Sequence, residues 1–374
     1  MAVRYITVSA ISNLFSPATR SFGDIAVVGE ALAAATGPFK TPIAVTNPNS
    51  VSDPSNAAGK DKPIDDPTWF QGALGASVKT VLAQTPGPTK VWAVRSNPGD
   101  ATPLATALAV VAKLNVQIVT MANTPLTNVA ANKTAVETLS DHVNTVSATG
   151  GDGMERIGVA MLGKGVTDTS LVSAKMSNAR MVLVAHNSDD DAAAAAAGTI
   201  AGYQPHISLL LKQVNISMDT LFSDSEIDAF NAARINWLTD PTLIPGKSLY
   251  MGEGYTLGDK MPYIDIVRTI DDISFRLKAT LIQAIGNLRI SRSGLRALVS
   301  EMTAVLEPLR QREVIESYLV FIPVLVLLDK DPASLTDAEL TQIHNTQAQR
   351  TVDAVITVEY AGAIHRLNIS LIFE

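Results

Sequence analysis

From Asp24 to about Ala201 the chain alternates short apolar runs with longer stretches of helical periodicity. The runs Asp24–Gly29 (DIAVVG), Lys90–Ser96 (KVWAVRS), Val116–Ala122 (VQIVTMA), Arg156–Gly163 (RIGVAMLG) and Arg180–His186 (RMVLVAH) are almost continuously apolar, as strands covered on both faces must be. Between them, helices are expected at about 67–84, 102–113, 130–147, 168–177 and 189–202, the first opened by Asp66 and Pro67. Strand and helix in alternation predict an α/β domain with a mostly parallel sheet. Residues 37–68 interrupt it with six prolines and read as an exposed excursion.

After residue 222 the pattern changes. Ser223-x-x-Glu226 is a capping box, expected to open a helix running to about Leu238, with Asp240-Pro241 ending it. Lys247–Leu257 reads as a strand. Ile264, Val267, Ile270, Ile273, Leu277, Leu281 and Ile285 step by three or four, predicting a long helix over about 262–286. On another face, Arg268–Asp272 and Asp272–Arg276 stand at i,i+4. A further helix is expected over 293–316, broken or bent at Pro308, and Thr336-x-x-Glu339 opens a third. Strands at 318–328 and 351–360 complete an α+β half, with Pro323 as a bulge or edge residue.

Both chain ends alternate. In Val3–Ile11, Ile6, Val8 and Ala10 share one face. Beyond Ala361-Gly362-Ala363, a turn candidate, Leu367, Ile369, Leu371 and Phe373 share one face while Arg366, Asn368 and Ser370 take the other. A single strand with a free end is not stable alone and must join a sheet, its own or a neighbour's. The expected organisation is an N-terminal arm and linker (1–20), an α/β domain (21–222, with the 37–68 excursion), a C-terminal α+β domain (223–362) and a C-terminal arm (363–374).

Composition narrows the chemistry. The 374 residues carry a formal charge of −7, against nucleic-acid binding, which draws on a basic surface. Cysteine is absent, removing thiolate metal sites, disulfides and Cys nucleophiles. The five histidines (142, 186, 206, 344, 365) offer no locally spaced metal pair. Charged residues are only 17%, against about 25% in typical domains, which fits a large aliphatic core or a surface covered by other chains. Neither Ala192–Leu211, with its glycines, Pro205 and His206, nor the short run Tyr318–Leu328 suits a membrane span, and Met1–Arg20 lacks the apolar core of a secretory signal. A soluble chain is expected.

Motifs for chemistry are weak. Gly158–Gly165 has Walker A spacing but ends in Gly where a magnesium-ligating hydroxyl belongs, and its first Gly lies in a strand; a Gly-Lys-Gly turn is the simpler reading. Gly252-Glu-Gly254 with Gly258 reads as turn glycines. Asp189-Asp190-Asp191 lacks the alternation of a calcium loop and precedes a polyalanine helix whose dipole it complements. His186 with Ser188 and Asp189 is no triad by adjacency alone. No catalytic, cofactor-binding or metal residues are assigned. From Arg289 to Arg312, five arginines face two glutamates, a net +3 in an acidic chain: a solvated helix face, or a docking surface for an acidic partner with Arg289, Arg292 and Arg296 as candidates.

Three segments in order, Phe230–Leu238 (FNAARINWL), Gly246–Leu257 (GKSLYMGEGYTL) and Tyr263–Ile273 (YIDIVRTIDDI), are similar to the "gIN" helix, "wGarTl" strand and "yi.vrR" long helix of contractile tail sheath proteins. The resemblance covers about residues 223–374 best. It implies a non-enzymatic structural subunit that forms a helical polymer of hexameric rings around an inner tail tube protein, with baseplate and tail terminator as further partners. It also implies contraction that drives the tube through a membrane, and a place in a phage tail or bacterial injection particle. It implies that Arg4, Tyr5, Ile6, Thr7 and Val8, and Arg366, Leu367, Asn368, Ile369, Ser370, Leu371 and Phe373, form strands donated to neighbouring copies. No cofactor, nucleic acid or membrane insertion is implied. The competing readings are an α/β nucleotide- or sugar-binding enzyme and a non-contractile adaptor with swapped strands.

Overall fold

The computed structural model describes residues 21–49, 63–64, 69–149, 153–246, 248–363 and 365. The elements in chain order are β1 (Asp24–Gly29), β2 (Ile43–Val45), α1 (Ala73–Leu82), β3 (Lys90–Arg95), α2 (Pro103–Val111), β4 (Ile118–Leu126), α3 (Ala130–Ala148), β5 (Ile157–Leu162), β6 (Met181–Ala185) and α4 (Ala192–Gly202). There follow β7 (Gln213–Val214), α5 (Asp224–Ala232), β8 (Asn236–Thr239), β9 (Leu249–Met251), α6 (Ile264–Ala284), α7 (Arg292–Gln311), β10 (Ile315–Phe321), α8 (Pro323–Asp329), α9 (Asp337–Gln349) and β11 (Val355–Tyr360).

The chain divides into two compact units, residues 21–272 with the segment from Gly362, and Ile273–Ala361. The first holds a nine-stranded sheet in the order β2-β3-β1-β4-β5-β6-β8-β9-β7. Its centre is parallel: Ile25 pairs with both Val91 and Ile118, and Gly158 with Met181. Alternate residues of β1 serve opposite faces. Ile25 and Val27 pack with α1 and α4, while Ala26 and Val28 pack with α2 and α3. Both sets are fully buried, which is why the strand runs are continuously apolar.

Alanine and glycine set the spacing of α4. Residues 192–201 are all buried. A Cβ on Gly198 would stand 2.5 Å from the Val81 carbonyl oxygen, and one on Gly202 1.9 Å from that of Pro86. The helix lies close against its neighbours because its side chains are small.

Several expectations are corrected. The sheet does not stop near residue 222: β8 and β9 extend it, and the unit runs to Asp272. The helix opened by Ser223 ends at Ala232, where Arg234 turns left-handed (φ 54°), and the apolar Ile235–Leu238 stretch enters strand β8. The strand expected over 247–257 is three residues long. Residues 168–177 form one short 3₁₀ turn, Thr169–Leu171, rather than a helix. The 318–328 run is split: β10 ends at Phe321 and Pro323 opens helix α8, its missing N–H costing nothing at a first helical position. α7 continues through Pro308 but stops at Gln311. Within the 37–68 stretch, Ile43–Val45 pairs antiparallel with β3, and Ile64 is buried.

The second unit is a two-stranded antiparallel sheet, β10–β11, packed with helices. Tyr318 and Val320 on one strand, with Ile356 and Val358 on the other, turn inward against Ile273, Leu306, Leu309, Val314 and Ile315. The fold class is therefore α/β plus α+β. No helix among the described residues is long and apolar enough to cross a membrane.

Candidate functional site

In an open parallel sheet, ligands bind beyond the carboxyl ends of the strands where the strand order reverses. Here that point lies between β1 and β4. It is filled by protein. A Cβ on Gly29 would meet that of Ala122 at 2.5 Å. Nearby, the buried Asp191 carboxylate caps α4, accepting from Ala194 N (2.9 Å), Asn123 N (2.7 Å) and Ser77 Oγ (2.5 Å). Burial pushes its pKa up despite those three donors. A nucleotide phosphate directed here would meet a carboxylate rather than free amides.

The other weak motifs have structural partners. Gly158 lies inside β5, where a Cβ would press on Met181 and Leu139, and Lys164 pairs with Asp189. His186 is buried, its Nε2 3.0 Å from the Leu162 carbonyl and its Nδ1 accepting from Ser188 N; burial lowers its pKa. Among the described residues no cluster of three or more His, Asp or Glu could hold a metal ion.

The motif residues of the second half tie strands together. Asn236 Nδ2 donates to the carbonyls of Leu183 (3.1 Å) and Tyr255 (2.9 Å), and its Oδ1 accepts from Tyr255 N (2.6 Å). Gly252 leaves room for the Trp237 indole, whose Nε1 would stand 2.2 Å from a Cβ. Arg180 forms a two-pronged pair with Asp271. Arg268 is buried, donating to the carbonyls of Phe22 (3.1 Å) and Tyr203 (2.9 Å); desolvation lowers its pKa to about 10, against Asp272, Asp271 and Asp265.

Among the described residues, the outer edges of the small sheet have no strand partner. β10 pairs only with β11 among the described strands, so each keeps one free edge. A two-stranded sheet with exposed edges is marginal alone and invites a further strand. On its outer face Leu319 is 63% exposed, Phe321 45% and Val355 54%. Leu319 stands opposite Thr357, and Phe321 opposite Val355.

Of the candidate docking arginines, Arg289 is exposed. Arg292 donates through Nε to the Leu328 carbonyl (2.8 Å) at the end of α8, and both Arg292 and Arg296 reach Asp329 (3.1 and 3.0 Å). Arg310 pairs with Glu307. Much of the +3 charge is thus engaged within the unit. Residues 4–8, 366–371 and 373, expected as donated strands, lie outside the described residues.

The described chain ends on a buried cluster that sequence reasoning missed. His365 Nδ1 is 2.9 Å from Glu253 Oε2, its Nε2 is 2.9 Å from Ser208 Oγ, and its ring meets Tyr263 edge-on at 4.7 Å. His365 lies more than a hundred residues from all three, so no local pattern signals it.

No family model and no curated protein matches the chain. Solved structures do. A chain in the cryo-EM structure of the anti-feeding prophage baseplate is 14% identical with a TM-score of 0.59, covering 100% of this chain and 98% of that one. One in the contracted PVC sheath complex of an extracellular contractile injection system is 12% identical (TM-score 0.62; 100% and 99%). The crystal structure of a sheath tail protein from Desulfitobacterium hafniense is 11% identical (TM-score 0.56; 86% and 93%). The protein has the fold of contractile sheath subunits over nearly its whole length.

Proposed function

We propose that the protein is a structural subunit of a contractile sheath, polymerising by strand exchange between copies around an inner tube. The observation that carries this is the two-stranded sheet whose outer edges are both unpaired among the described residues, in a chain whose fold matches sheath subunits end to end. Its two alternating terminal segments, Arg4–Val8 and Arg366–Phe373, are the strands available to neighbours. Backbone hydrogen bonds would join the copies while alternate side chains set the register. Because such a contact is heterologous it propagates as a helical tube rather than closing into a dimer.

Contraction needs no nucleotide in this reading. Subunits assembled in a metastable extended lattice exchange one set of lateral contacts for a better one. A gain of about 1–3 kcal/mol per subunit, the size of ordinary coupling energies, adds along the tube. Arg289 is the best placed of the three arginines to hold an acidic tube surface, since Arg292 and Arg296 already serve Asp329. Baseplate and tail terminator are the expected end partners, and a phage tail or injection particle the setting.

Negative-stain imaging of the purified protein tests the proposal. Sheath-like tubes or stacked rings support it. Monodisperse particles at high concentration, unchanged by deletion of residues 1–12 or 366–374, would contradict it.

A further inference from the structure

The unit Ile273–Ala361 carries a half-open groove of about 610 Å³. That size falls within the range of about 300–1,000 Å³ typical of pockets that hold one small ligand. Leu277 and Leu281 of α6, Leu298 and Met302 of α7, and Val352 and Ile356 at β11 line it. Ile285, also on its wall, is 76% exposed, although isoleucine is among the residues most often buried.

The groove has one charged end. Gln347 Nε2 donates to the Ile290 carbonyl (3.1 Å), which draws the end of α9 beside the connection from α6 to α7. Arg289 is the residue before Ile290, and Arg350 follows Gln347 by one helical turn. Both arginines line the groove and are exposed, and neither has a side-chain hydrogen bond or ion pair among the described residues. Arg350 turns left-handed (φ 55°) where α9 ends. α7 begins at the same end, so its N-terminal dipole adds to the positive potential. Lys278, the other cation on the wall, is already engaged within the chain. Among the described residues that line the groove, none is acidic.

From the arginines the apolar surface runs along two elements. Leu295 to Met302 on α7 advance about 10 Å at ~1.5 Å per residue. Val352 to Ile356 advance about 13 Å at ~3.3 Å per residue. A fitting occupant is therefore anionic at one end and apolar for about 10 Å behind it. An acidic protein surface would satisfy the arginines and leave the leucines wet. A purely apolar side chain would cover the leucines and leave both guanidinium groups unpaired. A long-chain carboxylate does both: its oxygens accept from the planar N–H forks of Arg289 and Arg350, and its tail covers the floor.

We infer that the groove binds a single-chain fatty acid, with its carboxylate at Arg289 and Arg350 and its tail between α6, α7 and Val352–Ile356. The site lies within one compact unit and stands whether or not copies exchange strands. An acidic tube surface at Arg289 would need no tail, so dependence on tail length separates the two uses of that residue.

Isothermal titration calorimetry of the full chain with octanoate, decanoate and dodecanoate, kept below micelle formation, tests this. One-to-one binding should tighten about two- to fourfold per methylene, while acetate gives no heat. Arg289→Glu/Arg350→Glu should weaken dodecanoate at least about tenfold and bind dodecyltrimethylammonium instead. Ile285→Asp, at an exposed position, should also weaken dodecanoate about tenfold while thermal unfolding shows the chain still folded. In the unaltered chain, a photoreactive fatty acid should label residues 277–302 or 350–356. Labelling elsewhere, uptake at many sites, equal binding of dodecyltrimethylammonium by the unaltered chain, or unchanged affinity in the double variant overturns the inference. So does binding confined to phosphatidylglycerol vesicles, which would make this face a membrane-docking surface. Oligomers that ignore dodecanoate but dissociate in the double variant would make it an interface between copies and overturn the inference equally.

Discussion

His365 Nδ1 lies 2.9 Å from Glu253 Oε2, across more than a hundred residues of sequence, with both side chains largely buried. With the Ser208 bond and the Tyr263 ring, this contact anchors the base of the C-terminal segment to the α/β unit. In the proposed sheath, an arm that carries load between copies would need such a fixed root.

Replacing His365 by Ala leaves a buried carboxylate and a hydroxyl without their partner. We expect a loss of about 1–3 kcal/mol in urea unfolding of the α/β unit, with faster amide exchange at Leu210, whose N–H is bonded to Ser208. His365→Gln, which keeps a donor for Glu253, should recover part of it.

Gly198→Ala and Gly202→Ala should lower the melting temperature. In an exposed helix the change gains about 1 kcal/mol; here each new methyl meets a backbone carbonyl oxygen, at 2.5 and 1.9 Å. Gly202→Ala should be the worse, and an unchanged melting point for it would refute the packing described for α4.

Acid should weaken the small unit through Glu307. Its hydrogen bonds from Arg310 and Tyr318 lower its pKa from 4.5 to about 2. Because the folded value is depressed, the stabilisation is complete above pH 4.5 and is lost as pH falls toward 2. Glu307→Gln should flatten that part of the stability–pH curve, and a fluorescence titration of Tyr318 reads it.

Asp191 has the opposite sign. Burial raises its pKa, so its share of stability is present below the ordinary aspartate range and declines as pH rises through the raised value. Asp191→Asn should remove that decline while lowering overall stability through a weakened cap on Ala194 N, measurable by urea titration across the pH range.

Arg292 and Arg289 should separate. Arg292→Glu strips a donor from the Leu328 carbonyl and opposes Asp329, and should cost about 1 kcal/mol in thermal unfolding. Arg289→Glu should leave stability within about 0.5 kcal/mol.

Local pattern determined much of the first unit. The strands at 24–29, 90–95, 157–162 and 181–185 and helix 130–148 fall where apolar runs and helical periodicity put them, because a strand buried on both faces has no alternative composition. The two capping boxes form, since Glu226 and Glu339 each accept from the N–H three residues back. Where residues can serve either state, sequence misled: Ile235–Leu238 continues a helical stripe but is captured by the edge of β6, and Pro323 marks a helix start rather than a strand bulge.

The edges of β10 and β11 left unpaired among the described strands, the groove beside β11 and the His365–Glu253 contact were decided by tertiary structure alone. Each joins groups distant in the chain, and no periodicity encodes which distant backbone is left unpaired. What the chain itself did announce was the pair of alternating ends, because a strand's two faces are written in its period of two.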